Sequence, residues 1–116
     1  MTSQNCIFCE IAEGKRAATI VHQTEKVIAF KDIRPQAPIH ILVIPKEHIP
    51  TLNDLTPVHQ DLIGKLFLVA KELAQQFGIA EQGYRTVFNC NRDAGQDVYH
   101  IHLHLLGGRQ FYWPPG

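Results

Sequence analysis

The sequence lacks several features that would assign it to a class at once. Three cysteines, an odd number, leave no closed disulfide framework. No apolar run approaches membrane-span length, and the opening MTSQNCIFCEIAEGK has no charged segment followed by the apolar stretch of a secretory leader. Neither sign of charge is in excess: 11 Lys and Arg balance 11 Asp and Glu, which removes the basic footprint of a nucleic-acid or membrane-surface protein. These absences predict a cytoplasmic protein with reduced thiols, no nucleic-acid partner and no membrane partner, in which any anionic ligand is held by a local site. At 116 residues, with no repeat, linker or low-complexity tract, the chain is expected to be one domain over 1–116.

What is there reads as an α+β pattern. Residues 7–13 predict a short helix. Val27–Phe30 and Ile41–Ile44 are short β-branched runs separated by the turn-like Asp32-Ile33-Arg34-Pro35-Gln36-Ala37-Pro38, and predict neighbouring antiparallel strands. A long helix is predicted from Thr56 as N-cap and Pro57 as first helical residue to Gly78 past its end, with Val58, Leu62, Leu66, Ala70, Leu73 and Phe77 on a buried face. Arg85–Phe88 and Ile101–Leu106 predict two further strands, joined by a loop over Asn89–Asp97.

The segment with most chemistry is Tyr99-His100-Ile101-His102-Leu103-His104-Leu105-Leu106. Strand alternation places the three imidazoles on one face and Ile101, Leu103 and Leu105 on the other. Imidazole acts near neutral pH as nucleophile, base or acid, and when protonated it binds phosphate oxygens. A catalytic zinc on all three is disfavoured, because same-face strand neighbours stand roughly 7 Å apart. His22 and His59 are isolated and are expected at the surface. Cys6-Ile7-Phe8-Cys9 spaces two thiols as zinc ligands, the alternative being two small buried hydrophobes, and Cys90 reads as a bystander.

The histidine run, with Gly95-Gln96 before it and Gly107-Gly108-Arg109-Gln110 and Trp113-Pro114-Pro115-Gly116 after it, resembles the histidine triad nucleotide-binding family, in its nucleoside phosphoramidase branch. Ala29-Phe30, Asp32-Ile33, Pro35-Gln36-Ala37-Pro38-Ile39-His40 and Val43-Ile44-Pro45-Lys46 extend the resemblance over nearly the whole chain. It implies the HIT fold, an antiparallel sheet of about five strands with one long helix and a short N-terminal helix. It also implies hydrolysis of nucleoside 5′-phosphoramidates, of AMP-amine or AMP-lysine type, through a nucleotidyl-histidine on His102. His104 and His40 would bind or orient the phosphate, and His100 would support the ring of His102. Asp32 would accept from the ribose hydroxyls, Phe30 and Ile33 would sandwich a purine with help from Ile11, and Asn89 would hold His102 or the ribose phosphate. Gly95 and Gln96 belong to the same substrate loop.

Animal members carry a serine two residues after Gly95, where this chain has Asp97. A carboxylate repels phosphate, so Asp97 is expected to turn away, to be protonated or to act through its backbone N–H, and it bears on leaving-group preference. Some bacterial members complete a Cys-x-x-Cys zinc site with residues that map onto His48 and His100. The resemblance therefore implies a structural zinc on Cys6, Cys9, His48 and His100 and no cofactor for catalysis. It further implies a homodimer, with Trp113 and the tail after it reaching the partner's active site.

Overall fold

The computed structural model describes residues 5–116; residues 1–4, the start of the segment read above for a leader, lie outside them. Five strands form one antiparallel sheet: β1 (Ile20–Gln23), β2 (Val27–Lys31), β3 (Ile39–Pro45), β4 (Tyr84–Val87) and β5 (Leu103–Gly107), in the order β1-β2-β3-β5-β4. Helix α1 (Ile7–Ala12) lies near the N-terminus, α2 (Gln60–Gln76) is the long helix, and α3 (Asn91–Ala94) is a single turn. No helix of the described residues is long and apolar enough to cross a membrane.

The α+β architecture is the expected one, with three differences of detail. Strand β1 was not legible: it is a four-residue edge strand with a register irregularity between Ile20 and His22, and only partial burial, so it carries no alternation. The loop predicted over Asn89–Asp97 contains α3, closed by Gly95 in the left-handed region (φ +78°). The predicted long helix begins with a 3₁₀ turn, Pro57–His59, before α2 proper. A 3₁₀ turn advances 120° per residue instead of 100°, which takes Val58 off the buried stripe; it is 83% exposed.

Within α2, Leu66, Val69, Ala70, Leu73 and Ala74 recur at three- and four-residue steps and are buried. They pack on Val27 and Ala29 of β2, Ile41 and Val43 of β3, and Leu103 and Leu105 of β5. Gly78 (φ +74°) ends the helix, and Ile79 N–H donates back to the Ala74 carbonyl at 2.9 Å. The other sheet face carries Ile28, Phe30, Leu42 and Ile44, covered by Cys6, Phe8, Cys9 and Ile11 from α1 and its cap. Because residues alternate, one register places Ile41 and Val43 toward α2 and His40 and Leu42 toward α1.

Neither isolated histidine is a plain surface residue. His59 Nδ1 accepts from Thr56 N–H at 2.9 Å and closes the turn that opens the long helix, while its Nε2 lies 3.4 Å from Glu47. Its spacing to Thr56 is that of a capping box, in which imidazole takes the carboxylate's place. His22 is half-buried, and its Nε2 finds no hydrogen-bond partner among the described residues.

Candidate active site and thiol–imidazole cluster

His100, His102 and His104 fall on the α1 face of the sheet, while Leu103 and Leu105 are buried toward α2 and Ile101 is buried just before them. The even spacing of a regular strand does not hold. Strand β5 begins only at Leu103, and upstream of it Ile101 N–H pairs with the Ile49 carbonyl at 2.8 Å instead of continuing the β3 ladder. The imidazoles consequently separate into two groups. His102 and His104 close to 4.9 Å between ring centroids, whereas His100 turns toward Cys6 and Cys9.

His40 joins the first group through sheet register. His104 stands opposite Leu42, and His40 opposite Leu106, so the two histidines are diagonal neighbours. Their rings meet with His40 Nε2 2.9 Å from His104 Nδ1. Hydrogen-bond partners then set every proton. Gln36 N–H donates to His40 Nδ1 at 3.0 Å, so neutral His40 carries its proton on Nε2 and donates it to His104 Nδ1. That leaves His104 with its proton on Nε2, as a donor facing the site. His102 Nδ1 lies 2.8 Å from the His100 carbonyl oxygen, which can only accept; the proton is therefore on Nδ1 and the lone pair on Nε2.

Burial disfavours the charged form of His104 and His40. It is the main cause that pushes His104 down to about 4, reinforced by His102 and His40 and opposed by Asp32 and Asp97. His40 is lowered in the same direction by burial, with Asp32 opposing and His102 adding to it. Phe8 packs edge-on against both His102 and Phe30, with centroids 5.1 Å and 5.4 Å away, and so walls the site on its inner side. Its place between Cys6 and Cys9 on a buried helical face was the available signal for that part.

Other expected site residues vary in how near they come. Asp32 Oδ2 is 3.4 Å from His40 Nε2, and its Oδ1 accepts from Arg34 N–H at 2.8 Å. Asp97 is not turned away: its Oδ1 stands 3.5 Å from His102 Nε2, with the side chain 81% exposed. Gln96 is buried, and its side chain is consumed internally. Its Oε1 accepts from Asn91 N–H at 2.8 Å, and its Nε2 donates to the carbonyls of Pro50 at 2.7 Å and Val98 at 3.1 Å. Gln96 thus clamps the loop that carries Asp97. Phe30 and Ile11 are packed in the core, Ile33 is 91% exposed, and Asn89 is half-buried just after β4. Trp113 is 83% exposed on a tail held by Arg85, which donates to the Tyr112 carbonyl at 3.1 Å and lies over the Phe111 ring.

The second group is a compact cluster. Cys6 Sγ lies 3.4 Å and Cys9 Sγ 3.6 Å from His100 Nδ1, and Cys9 Sγ is 3.2 Å from His48 Nδ1. The four ligand atoms all lie within 4.8 Å of one another. His100 Nε2 donates to the Pro45 carbonyl at 2.7 Å, which turns the Nδ1 lone pair toward the thiols. Two sulfurs, two imidazole nitrogens and an outer carbonyl that fixes the ligand tautomer are the donor set a structural zinc requires. Burial holds His100 down at about 4, with the Pro45 hydrogen bond opposing and His48 and His102 adding to it, so its lone pair is free at neutral pH. Cys90 is half-buried at the start of α3, away from this cluster.

A family model described as "Scavenger mRNA decapping enzyme C-term binding" matches residues 5–110. The purine nucleoside phosphoramidase of Escherichia coli strain K12 is 50% identical over 107 residues, 92% of this chain and 90% of that protein. Among solved structures, a HIT family hydrolase from Legionella pneumophila superposes with a TM-score of 0.95 at 56% identity, covering 97% of this chain and all of that one. A histidine triad protein from Clostridium difficile gives 0.93 at 38% identity, over 97% of each chain.

Proposed function

Since the chain belongs to the histidine triad (HIT) family, we propose that it hydrolyses purine nucleoside 5′-phosphoramidates of AMP-amine or AMP-lysine type, with His102 as a covalent nucleophile. The observation that carries this reading is the His102 tautomer. A buried imidazole whose Nδ1–H is held at 2.8 Å by a backbone carbonyl keeps Nε2 as the nitrogen that carries the lone pair in the neutral ring. The Escherichia coli relative named as a purine nucleoside phosphoramidase supports the substrate class.

In the reaction, Nε2 forms a bond to the α-phosphorus as the P–N bond to the leaving amine breaks. The amine departs with a proton drawn from solvent, and water then attacks the nucleotidyl-histidine, returning a proton to solvent as it releases the nucleoside monophosphate and restores the imidazole. Over both steps one water supplies hydroxyl to phosphorus and hydrogen to nitrogen. His104 Nε2–H donates to a phosphoryl oxygen, and His40 keeps that donor in place. Asp32 receives the ribose hydroxyls, with Ile33, Phe30 and Ile11 on the base side and Asn89, Gly95 and Gln96 bordering the phosphate.

Cys6, Cys9, His48 and His100 would hold a structural zinc ion; when bound it supplies a crosslink between α1, the segment after β3 and the residues entering β5. His100 joins both groups, because its carbonyl orients His102 while its ring faces the thiols. A reducing cytoplasm keeps those thiols available as ligands. We also read the protein as a homodimer. Strand β4 leaves a sheet edge unpaired, and Phe67, edge-on to Phe88 at 6.0 Å, and Tyr84 remain exposed on the described chain. A second copy would cover them, and Trp113 would reach its site.

Hydrolysis of adenosine 5′-phosphoramidate by wild type and His102→Ala, with and without a strong chelator, tests the assignment alongside intact mass of briefly quenched enzyme. Turnover lost in His102→Ala, retained after chelation and accompanied by an adduct of nucleotide mass is expected. Turnover that persists in His102→Ala, or that vanishes on chelation from a protein still folded, would overturn the nucleophile.

A further inference from the structure

The imidazole row is closed by a carboxylate at each end. From Asp32, 3.4 Å from His40, the row runs through the 2.9 Å His40–His104 bond and the His104–His102 ring pair to Asp97, 3.5 Å from His102 Nε2. The two carboxylates are held differently. Asp32 is half-buried and tied by the Arg34 N–H. Asp97 is four-fifths exposed, and swinging it outward breaks no buried hydrogen bond. Beyond Asp97 an open groove of about 540 Å³ runs past Cys6, His48, Pro50, Val98 and Tyr99, and among the described residues no lysine or arginine lines it.

We propose that Asp97 is a specificity-determining residue that selects leaving groups carrying a positive charge, and that the groove beside it receives them. This inference rests on the phosphoramidase reading above. If the nucleoside lies at the Asp32 end, the amine lies at the Asp97 end. A phosphorus in line with Nε2 must stand about 3–3.5 Å away before attack, which is where the Asp97 carboxylate now stands. The carboxylate therefore gives way toward the groove, bringing its negative charge along the leaving group. A cation there, such as the ammonium of a diamine or a lysine-like amine, offsets both the carboxylate and the phosphoryl charge. An anionic leaving group adds a second repulsion, with no lysine or arginine among the groove's described residues to offset it. Each effect at so exposed a carboxylate is a few-fold, and the two together give a cation-over-anion preference of about tenfold.

The test is kcat/KM for three AMP phosphoramidates with four-carbon amines: 1,4-diaminobutane, butylamine and 4-aminobutanoate. Wild type should prefer them in that order, Asp97→Asn should bring the outer two within about twofold of each other, and Asp97→Lys should invert the order, each contrast shrinking at high salt. A merely structural role for Asp97 would move all three substrates together. Wild type without a charge preference, or a preference unchanged in Asp97→Asn, overturns the inference while turnover of the neutral butylamide leaves the phosphoramidase reading standing. No turnover of any of the three by wild type overturns both.

Discussion

Replacing His40 by leucine removes the group that decides which nitrogen of His104 carries its proton. In the intact protein the Gln36 N–H occupies His40 Nδ1 and forces the proton onto Nε2, and the 2.9 Å contact passes the same constraint to His104. Without it, His104 Nδ1 can take the proton, and the nitrogen toward the site then presents a lone pair to an anionic oxygen. The loss is that of one preorganised donor to developing phosphoryl charge, about 10²–10³ in kcat/KM. His40→Gln is the informative companion, because its amide nitrogen can still donate to His104 Nδ1; it should stay within about tenfold of wild type. His40→Leu also strips the Gln36 N–H of its acceptor, costing about 1–3 kcal/mol, so its melting temperature should fall, whereas the glutamine Oε1 offers a replacement acceptor. Nitrogen-15 NMR of the His104 ring reads the tautomer directly, and steady-state kinetics on adenosine 5′-phosphoramidate reads its consequence. If His40→Leu retained more than a third of wild-type kcat/KM, or if His40→Gln were equally slow with the His104 tautomer unchanged, the relay argument would fail.

Two further outcomes follow from the same contacts. Gln96→Glu should destabilise the protein by about 2–4 kcal/mol, because it turns both carbonyl contacts of Nε2 into repulsive ones in a buried setting; urea unfolding indistinguishable from wild type would show that the clamp is unimportant. In acid, His100 and His104, near 4 in the fold, and His40, lowered as well, bind protons in the unfolded chain near 6.5 before they bind them in the native one. Stability of the metal-free protein should therefore be complete above about pH 6.5 and fall as pH drops toward 4, each histidine contributing up to about 1.4 kcal/mol per pH unit. Urea midpoints that stay flat between pH 7 and 4.5 would contradict it.

The elements legible in the sequence are those whose burial repeats with a period. Alternation at His100–Leu105 set imidazoles on one face and aliphatic side chains on the other, and α2 declared itself through Leu66, Ala70 and Leu73. Val58 misled because a 3₁₀ turn changes the angular step just where the stripe begins. β1 stayed hidden because a short, half-exposed edge strand has no buried face to repeat. The Cys6–Cys9 pair was readable since both residues belong to one turn of chain.

By itself, then, the sequence determined local facts: which residues share a face, where the turns and caps fall, and which side chains can carry imidazole and thiolate chemistry. Tertiary structure alone decided that His40 touches His104 across 64 residues of chain, that His48 meets Cys9 across 39, and that His100 serves the thiols with its ring and His102 with its carbonyl. It also turned Asp97 toward His102 instead of away from it. The reason is physical. Periodicity fixes the direction of a side chain relative to its own backbone, whereas a contact between distant segments depends on strand register and loop closure, which are set only when the two hydrophobic faces of the sheet are buried together.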